Sequence, residues 1–350
     1  MKTIVLTGGG TAGHVNPNIA LMPSLKEQGF DIHYLGTAGG MERGMIQDID
    51  NVTYHIIRSG KLRRYFSLQN FSDPFKVIGG YFDAKKILKK VKPSVVFSKG
   101  GFVSVPVVLA AKSLKIPTIL HESDYTPGLA NKILLTRSDK ILVTFEDTLK
   151  YIKNNGIFTG TPIRKELYSG NKNIANELFK TNKPVLLCTG GSQGAQALNN
   201  ALRQNLDKLL KRYNIIHLCG KNNLDSSLNS LEGYYQLEFA TSQMRDFLAA
   251  SDIILSRAGA NSVFEFLALN KPALLIPLPS STSRGDQVLN SQYFANRGYS
   301  MVLDQENISQ LVKNIDELYQ NREKLQNAMK QAKNADGTAA VLTQLLQMVK

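Results

Sequence analysis

The chain has 350 residues, of which 43% are hydrophobic, and a formal net charge of +14. This length exceeds what a single hydrophobic core commonly holds, so two domains are expected. No apolar run approaches the roughly 18 residues that a membrane-spanning helix needs, and no export signal is evident, so secreted and integral membrane classes are disfavoured and a cytoplasmic protein is expected.

Short apolar, β-branched runs alternate along the chain with stretches compatible with helices. This alternation is typical of a parallel sheet covered by helices on both faces. In the first half, strands are predicted at residues 3–6, 32–35, 94–97, 118–120 and 140–144. In the second half they are predicted at residues 185–188, 215–218, 235–239, 253–256, 273–276 and 300–303. The fold class is therefore α/β, with two sheets.

A turn-forming segment at residues 159–162 separates the two halves and is typical of a linker. We predict a first domain over residues 1–160 and a second over residues 161–334. Residues 309–350 are compatible with helix, and the last part, about residues 335–350, is expected to fold back onto the first domain.

A glycine-rich turn follows the first predicted strand of each half, at residues 8–13 and again at residues 190–195. Glycine permits positive φ and close approach of a ligand to the backbone, and the N-terminus of the following helix favours an anion, commonly a phosphate. A single turn of this kind is also compatible with an ordinary tight turn. Its recurrence predicts two Rossmann-like domains facing each other across a cleft.

The position of acidic residues argues against a dehydrogenase. A nicotinamide site needs an acid at the end of the second strand, where this chain has Gly36 and Thr37. Glu265 is better placed, because it follows the strand at residues 253–256 in the opening turns of a predicted helix. There it can accept hydrogen bonds from ribose hydroxyls while the helix N-terminus faces a diphosphate. The alternative is a glutamate that only complements the helix dipole.

Basic and large apolar residues are interleaved between Arg58 and Lys92, where ten basic residues stand against two acidic ones. This mixture suits the interface of an anionic membrane. The alternative is an amphipathic helix whose apolar side meets the core and whose lysines are solvated. Nucleic acid is not expected as a partner, because no nucleic-acid-binding motif accompanies the charge.

Cys188 and Cys219 lie in apolar segments and lack the CxxC spacing of metal sites. We expect buried free thiols in a reducing compartment, and neither a disulfide nor a metal site.

Seven motifs occur in order over essentially the whole chain: GGGTAGHVNPN, SKGGFVSVP, HESD, GTPIR, GGSQGA, SRAGANSVFE and RGDQ. Together they resemble the MurG family, the peptidoglycan glycosyltransferases that move N-acetylglucosamine from its UDP ester to lipid I and form lipid II. The resemblance implies the GT-B architecture, with the donor held mainly by the second domain. It also implies an inverting transfer that uses neither a metal nor a cofactor.

The resemblance carries site residues onto this sequence. It makes His14 the candidate general base, with capping of the loop as the alternative. It places Arg164, Ser192 and Gln287 on the sugar nucleotide, and Glu265 on the ribose. Further donor-binding candidates are Ala240, Gly259, Ala260, Asn261, Thr11, Ala12, Gly13 and Asp124. Candidates for the acceptor or its diphosphate are Gly10, Gly100, Gly101 and Glu122.

Three positions depart from the family pattern. Asp124 stands where many members carry asparagine, Asp286 where many carry glutamine, and Phe102 where tyrosine is frequent.

The implied partners are UDP-N-acetylglucosamine, the undecaprenyl-linked lipid I and an anionic membrane surface, at the cytoplasmic face of the cell membrane. Two alternatives share the fold. One is another GT-B enzyme that uses the same donor, such as a UDP-N-acetylglucosamine 2-epimerase or a transferase with a soluble acceptor. The other is a non-catalytic nucleotide-binding scaffold at the membrane.

Overall fold

The computed structural model describes residues 2–60, 69–191, 194–281 and 285–349. The chain divides into two units, one formed by Met1–Arg164 with Asp336–Lys350 and the other by Lys165–Ala335. The predicted motif residues Ser192, Gln193, Ser283 and Arg284 lie outside the described residues, as does part of the basic stretch, residues 61–68.

The described part of the first unit contains a seven-stranded sheet in which every strand pairing is parallel. Its order is β3-β2-β1-β4-β5-β6-β7. The strands are β1 (Lys2–Thr7), β2 (Phe30–Gly36), β3 (Val52–Ile56), β4 (Val95–Ser98), β5 (Thr118–Glu122), β6 (Lys140–Val143) and β7 (Gly156–Phe158).

Helices cover both faces of this sheet and form separate apolar clusters with it. They are α1 (Ala12–Glu27), α2 (Met41–Ile46), α3 (Gln69–Val91), α4 (Ser104–Ser113) and α5 (Leu129–Leu134), with a 3-10 turn at Glu146–Tyr151. Helix α1 packs in one cluster, and α3 and α4 pack in another. The central strands are buried on both faces, which explains their continuous apolar sequence.

The second unit repeats this plan with a six-stranded parallel sheet in its described residues, in the order β10-β9-β8-β11-β12-β13. The strands are β8 (Val185–Thr189), β9 (Asn214–Leu218), β10 (Tyr234–Leu237), β11 (Ile253–Ser256), β12 (Ala273–Leu275) and β13 (Ser300–Val302). The helices are α6 (Ile174–Leu178), α7 (Gln196–Arg203), α8 (Leu206–Leu209), α9 (Met244–Ala250), α10 (Ala260–Ala268), α11 (Asp286–Asn296) and α12 (Leu311–Lys330). The prediction of two Rossmann-like domains is confirmed.

The last helix, α13 (Thr338–Met348), belongs to the first unit. Val341 and Leu345 are fully buried in the same cluster as α1. The GTPIR motif also belongs to this unit, because the Gly337 amide donates to the Thr161 carbonyl and the Ile163 amide donates to the Thr338 hydroxyl. The unit boundary therefore lies after Arg164, four residues later than the boundary drawn from the sequence.

Strands β3 and β7 were missed by the sequence analysis. The β3 segment, Val52–Ile56, mixes polar and aromatic residues because it is only partly buried. The β7 segment, Gly156–Phe158, has only three residues and begins with glycine. Neither shows the buried apolar run from which the other strands were predicted.

Candidate active site

Several sequence motifs of the first unit meet where its strand order reverses, between β1 and β4. Loops that leave neighbouring strands in opposite directions open a crevice there, and α/β proteins bind ligands in such crevices. Residues 8–11 follow β1, residues 99–103 follow β4, and residues 123–128 follow β5. The glycine candidates and His14 of this unit therefore lie at one edge of the sheet.

His14 lies in the first turn of α1 and is half-buried. Its Nδ1 is 3.1 Å from the carbonyl oxygen of Gly9 and 3.1 Å from the hydroxyl oxygen of Thr11. Because a carbonyl oxygen only accepts hydrogen bonds, Nδ1 carries the proton of the neutral ring and Nε2 carries the lone pair. The loop thus selects the tautomer in which Nε2 is the basic atom.

Gly101 allows the loop after β4 to approach His14. Its φ is +82°, and a Cβ placed on it would lie 2.3 Å from the Gly9 carbonyl oxygen and 3.3 Å from His14 Nδ1. Gly100 has φ +91°, and its Cβ would lie 2.7 Å from the Asn131 side-chain oxygen. The backbone conformation disfavours a side chain at either position, and at Gly101 a side chain would also collide with the Gly9 backbone.

Glu122, predicted as an acceptor contact, is only 3% exposed. One carboxylate oxygen accepts the Asp124 amide at 2.9 Å, and the other accepts the Gly128 amide at 3.0 Å and the Asn131 side-chain amide at 2.7 Å. Burial raises the pKa of this carboxyl, and these hydrogen bonds oppose the shift. The geometry supports a role in shaping the loop that carries Asp124, rather than direct contact with an acceptor.

Lys99 and His121 form a fully buried pair beneath the same loops. His121 Nε2 donates to the Gly160 carbonyl oxygen at 2.8 Å, so its Nδ1 accepts from the Lys99 ammonium or amine. Burial lowers the pKa of Lys99 to about 7, against the opposing effect of the Glu122 and Asp124 carboxylates. Burial also lowers the pKa of His121, and the Lys99 charge lowers it further. Both residues lie within sequence motifs, SKGGFVSVP and HESD, but neither was predicted to have a role.

Glu42 was not singled out from the sequence at all. It lies on α2, and it is 0% exposed. Its Oε2 accepts the Gly10 amide at 3.3 Å, and its Oε1 accepts the Thr37 amide at 3.0 Å and the Thr37 hydroxyl at 2.7 Å. The candidate Gly10 amide is therefore held by a carboxylate of the protein itself.

In the second unit the strand order reverses between β8 and β11. Gly190 and Gly191 follow β8, and residues 257–260 lead from β11 into α10. Gly259 is the N-cap of α10, and Ala260 is the first helical residue. The helix N-terminus carries backbone N–H groups and a positive dipole end, so it can bind a diphosphate.

Two buried side chains that the sequence analysis did not predict as ligands support this turn. Asn290 of α11 is 1% exposed and donates to the Ala258 carbonyl at 3.1 Å. Arg257 donates to the Ile276 carbonyl at 3.0 Å and to the Gln305 side chain at 2.8 Å. These bonds connect the loops after β11 and β12.

The structure places the other candidate donor-binding residues on several elements. Glu265 lies in the second turn of α10 and is half-buried. Gln287 lies in the first turn of α11, and its side-chain oxygen accepts the Leu278 amide at 3.0 Å. Ala240 lies in the loop between β10 and α9, and Asn261 is the second residue of α10. Arg164 is the last residue of its segment in the first unit.

Among the residues that the structure describes, no group of three or more His, Cys, Asp or Glu side chains could hold a metal ion. Cys188 and Cys219 are both buried free thiols. Within the same residues, no helix is both long and apolar enough to cross a membrane.

Comparison with protein families gives two matches, one for each sheet. Residues 4–143 match the glycosyltransferase family 28 N-terminal domain, and residues 185–343 match the glycosyltransferase family 28 C-terminal domain.

Individual glycosyltransferases are similar to this chain over nearly its whole length. A UDP-N-acetylglucosamine--N-acetylmuramyl-(pentapeptide) pyrophosphoryl-undecaprenol N-acetylglucosamine transferase of Clostridium tetani is 53% identical, covering 96% of this chain and 95% of the relative. The transferase of the same name from Clostridium novyi is 55% identical, covering 92% of this chain and 91% of the relative. The crystal structure of MurG from Acinetobacter baumannii is 26% identical with a TM-score of 0.77, covering 99% of this chain and 100% of that one.

Proposed function

We infer that this chain, which belongs to the MurG family within glycosyltransferase family 28, transfers N-acetylglucosamine from UDP-N-acetylglucosamine to lipid I and thereby forms lipid II. The observation that carries this conclusion is the near-full-length identity with the clostridial transferases, which includes both domains. The experiment that tests it follows labelled sugar from the sugar nucleotide into the lipid fraction.

For the donor, we propose that the second unit holds the nucleotide at its strand reversal. The N-terminus of α10, from Gly259 to Asn261, faces the diphosphate, because its amides and dipole favour an anion. Glu265 accepts the ribose hydroxyls, Gln287 and Ser192 contact the sugar nucleotide, and Ala240 borders the uracil. Because Gln287 Oε1 accepts from the Leu278 amide, the NH₂ group of Gln287 is the donor toward the ligand.

Substitution of Glu265 tests this placement. We expect Glu265→Ala to raise the Kd of UDP about tenfold or more, since a hydrogen bond to a charged group contributes about 1.5–3 kcal/mol. The measurement is calorimetric titration with UDP and with 2′-deoxy-UDP. The wild-type protein is expected to prefer UDP, and Glu265→Ala to lose that preference.

The matched control is Glu323→Ala, which removes a glutamate that is 78% exposed on α12 of the same unit. Its Kd values are expected to equal those of the wild type. An undiminished preference for UDP over 2′-deoxy-UDP in Glu265→Ala would remove Glu265 from the ribose.

For the chemical step, we propose that His14 Nε2 takes the proton of the 4-hydroxyl of the N-acetylmuramoyl unit. The electrons of the O–H bond then form the new bond to the anomeric carbon, on the face opposite the UDP, and the electrons of the anomeric C–O bond leave with UDP. This route inverts the anomeric configuration. General-base catalysis of this kind contributes about 10² to 10⁴-fold. The α10 N-terminus and Arg164 stabilise the negative charge that grows on UDP.

Within the first unit, we propose that Thr11, Ala12, Gly13 and Asp124 face the transferred sugar, while Gly10, Gly100 and Gly101 shape the acceptor site. Glu122 supports this site from below by holding the loop of Asp124. Gly101 keeps the space beside His14 clear of a side chain.

We also propose that α3 places the protein on the cytoplasmic face of the membrane as a peripheral protein. One side of α3 is in the core, where Ala84 and Leu88 are fully buried. Another side exposes three large apolar residues at helical spacing: Phe75 (75%), Ile78 (55%) and Phe82 (60%). On a helix that faces only water, large apolar side chains at these positions are unfavourable. Their exposure therefore favours the interpretation of α3 as a membrane-binding helix.

The lysines of α3 add attraction to anionic lipid, at about 1 kcal/mol for each cation near the surface. We expect the combined substitution of Phe75, Ile78 and Phe82 by serine to lower partition onto vesicles with anionic lipid at least tenfold, measured by sedimentation. Substitution of Lys85, Lys86, Lys89 and Lys90 by glutamine should weaken binding to anionic vesicles but leave binding to neutral ones unchanged.

Leu224→Ser provides the control for this experiment, because Leu224 is 53% exposed in the second unit. Its vesicle binding is expected to match the wild type. If the triple serine variant also binds as the wild type does, the apolar side of α3 does not contact the membrane.

A further inference from the structure

The Gly9–Gly10 peptide group connects two side chains of the first unit. Its carbonyl oxygen accepts from His14 Nδ1 at 3.1 Å, and its amide donates to Glu42 Oε2 at 3.3 Å. A peptide group is planar and delocalised, and hydrogen bonds arranged in series polarise one another. A negative charge on the amide side therefore makes the carbonyl a stronger acceptor for the Nδ1 proton.

We propose that Glu42 is a positioning residue that acts on His14 through this single peptide group. It fixes the Nδ1–H tautomer and increases the basicity of Nε2. The proposal rests on the proposed function of His14 as the general base. In many enzymes a carboxylate orients a catalytic histidine by contacting it directly. Here Glu42 has the same orienting role, but one peptide group lies between it and His14.

The structure is built to hold a carboxylate at this place. Glu42 is 0% exposed, and its second oxygen is fixed by the amide and hydroxyl of Thr37. A Cβ on Gly9 would lie 2.7 Å from the Glu42 carboxyl carbon, and one on Gly40 would lie 2.1 Å from its Oε1. Two glycines therefore keep the space that the carboxylate occupies.

Glu42 takes part in none of the ion pairs found among the described residues. A buried carboxylate without a paired cation is costly, and the hydrogen bonds from the Gly10 amide and from the Thr37 amide and hydroxyl offset part of this cost. The negative charge of Glu42 stabilises the protonated form of His14, because the imidazolium forms at the other end of the peptide group.

Other titratable groups surround this arrangement. Arg43 is next to Glu42 on α2, Tyr34 faces it from β2, and Tyr54 faces it from β3. The pKa of each tyrosine is raised by burial and by the Glu42 charge, so both phenols stay neutral while histidine titrates. Lys99, from the loop after β4, has a pKa lowered by burial to about 7, and its backbone amide donates to the Thr7 carbonyl, next to the glycine loop. Lys99 is present in every variant compared below, so its titration does not account for a difference between them.

The test observes the His14 ring nitrogens directly, by NMR titration of the full chain labelled with ¹⁵N-histidine and assigned with His14→Asn. We expect the Nδ1–H tautomer in the wild type. In Glu42→Gln, which keeps the shape but removes the charge and one acceptor oxygen, we expect the pKa of His14 to fall by about 1, the effect of a unit charge at several ångströms. Turnover should fall about tenfold with an unchanged donor KM, and the acid limb of the pH profile of kcat should move to lower pH.

Asp139→Asn is the matched control. Asp139 Oδ2 also accepts the amide and hydroxyl of one threonine, Thr118, at 2.8 and 3.1 Å, but at the opposite end of the sheet strands. The pKa of His14 should be unchanged in this variant. A pKa and tautomer of His14 in Glu42→Gln that equal those of the wild type would overturn the proposal.

A measurement on the wild type covers the case in which Glu42→Gln fails to fold. The Gly10 amide resonance should titrate together with the His14 ring, because both belong to one hydrogen-bonded series, and a Gly10 amide that does not respond contradicts the proposal. The outcome is separable from the role of His14 in catalysis. If the pKa falls in Glu42→Gln but His14→Ala keeps full turnover, the coupling stands and the general-base function fails.

Discussion

Replacing His14 by alanine is expected to lower kcat by about 10² to 10⁴-fold, because the acceptor hydroxyl then loses its general base. The Kd of UDP should not change, since His14 has no proposed contact with the nucleotide. Steady-state transfer kinetics measure the first effect, and calorimetric titration with UDP measures the second. The pH profile of the residual activity should lose the acid limb that reports protonation of the imidazole.

His55→Ala is the control, because His55 is a half-buried histidine of β3 with no place in the proposed site. Its turnover is expected to remain within about twofold of the wild type. Wild-type turnover in His14→Ala would exclude the base. The His14–Gly9 bond would then have only the structural role that the sequence analysis held open as the alternative.

Gly101→Ala is expected to have the second large effect, a loss of turnover of at least 100-fold. The new Cβ would lie 2.3 Å from the Gly9 carbonyl oxygen, which no side-chain rotation can relieve. The Gly9 carbonyl must move, and with it the acceptor for His14 Nδ1 at 3.1 Å. A displacement of about 1 Å at a catalytic group can cost 10²-fold in rate.

Gly29→Ala separates this collision from backbone strain. Gly29 also has a positive φ, +73°, but a Cβ there meets nothing within 4 Å. Chemical denaturation should show a loss of about 1–2 kcal/mol in Gly29→Ala from the left-handed conformation alone, and a larger loss in Gly101→Ala, where the collision adds to it. Transfer kinetics should show a large loss in Gly101→Ala alone. Equal activity of the two variants would mean that the loop after β4 does not position His14.

The architecture was predictable because parallel strands that are buried on both faces have continuous apolar sequences, as in Val95–Ser98 and Val185–Thr189. The glycine turns also marked the correct sheet edges. What escaped prediction depended on contacts between distant segments. Glu42 lies in the sequence MERGMI, which is typical of a solvent-facing turn of helix, and only its bonds to Gly10 and Thr37 distinguish it.

Glu122 was predicted from the sequence as a ligand contact, but its hydrogen bonds in the structure are to the protein itself. An acid directly after a buried strand is a reasonable ligand candidate, yet its oxygens are used by the Asp124 and Gly128 amides and by Asn131. Asn290 and Arg257 support the start of α10 through single backbone carbonyls, a role that residue type alone does not indicate. In each case, the hydrogen-bond partner is set by tertiary structure.

The most direct test of the central claim incubates the protein with UDP-N-acetylglucosamine labelled in the sugar and with a lipid I analogue, and then measures the label in the extracted lipid. We predict that label enters the lipid in a linkage of inverted configuration, with release of one UDP for each sugar. Label that stays in a sugar nucleotide of changed configuration would identify an epimerase. Donor binding without any turnover would identify a scaffold, and either result would contradict the account.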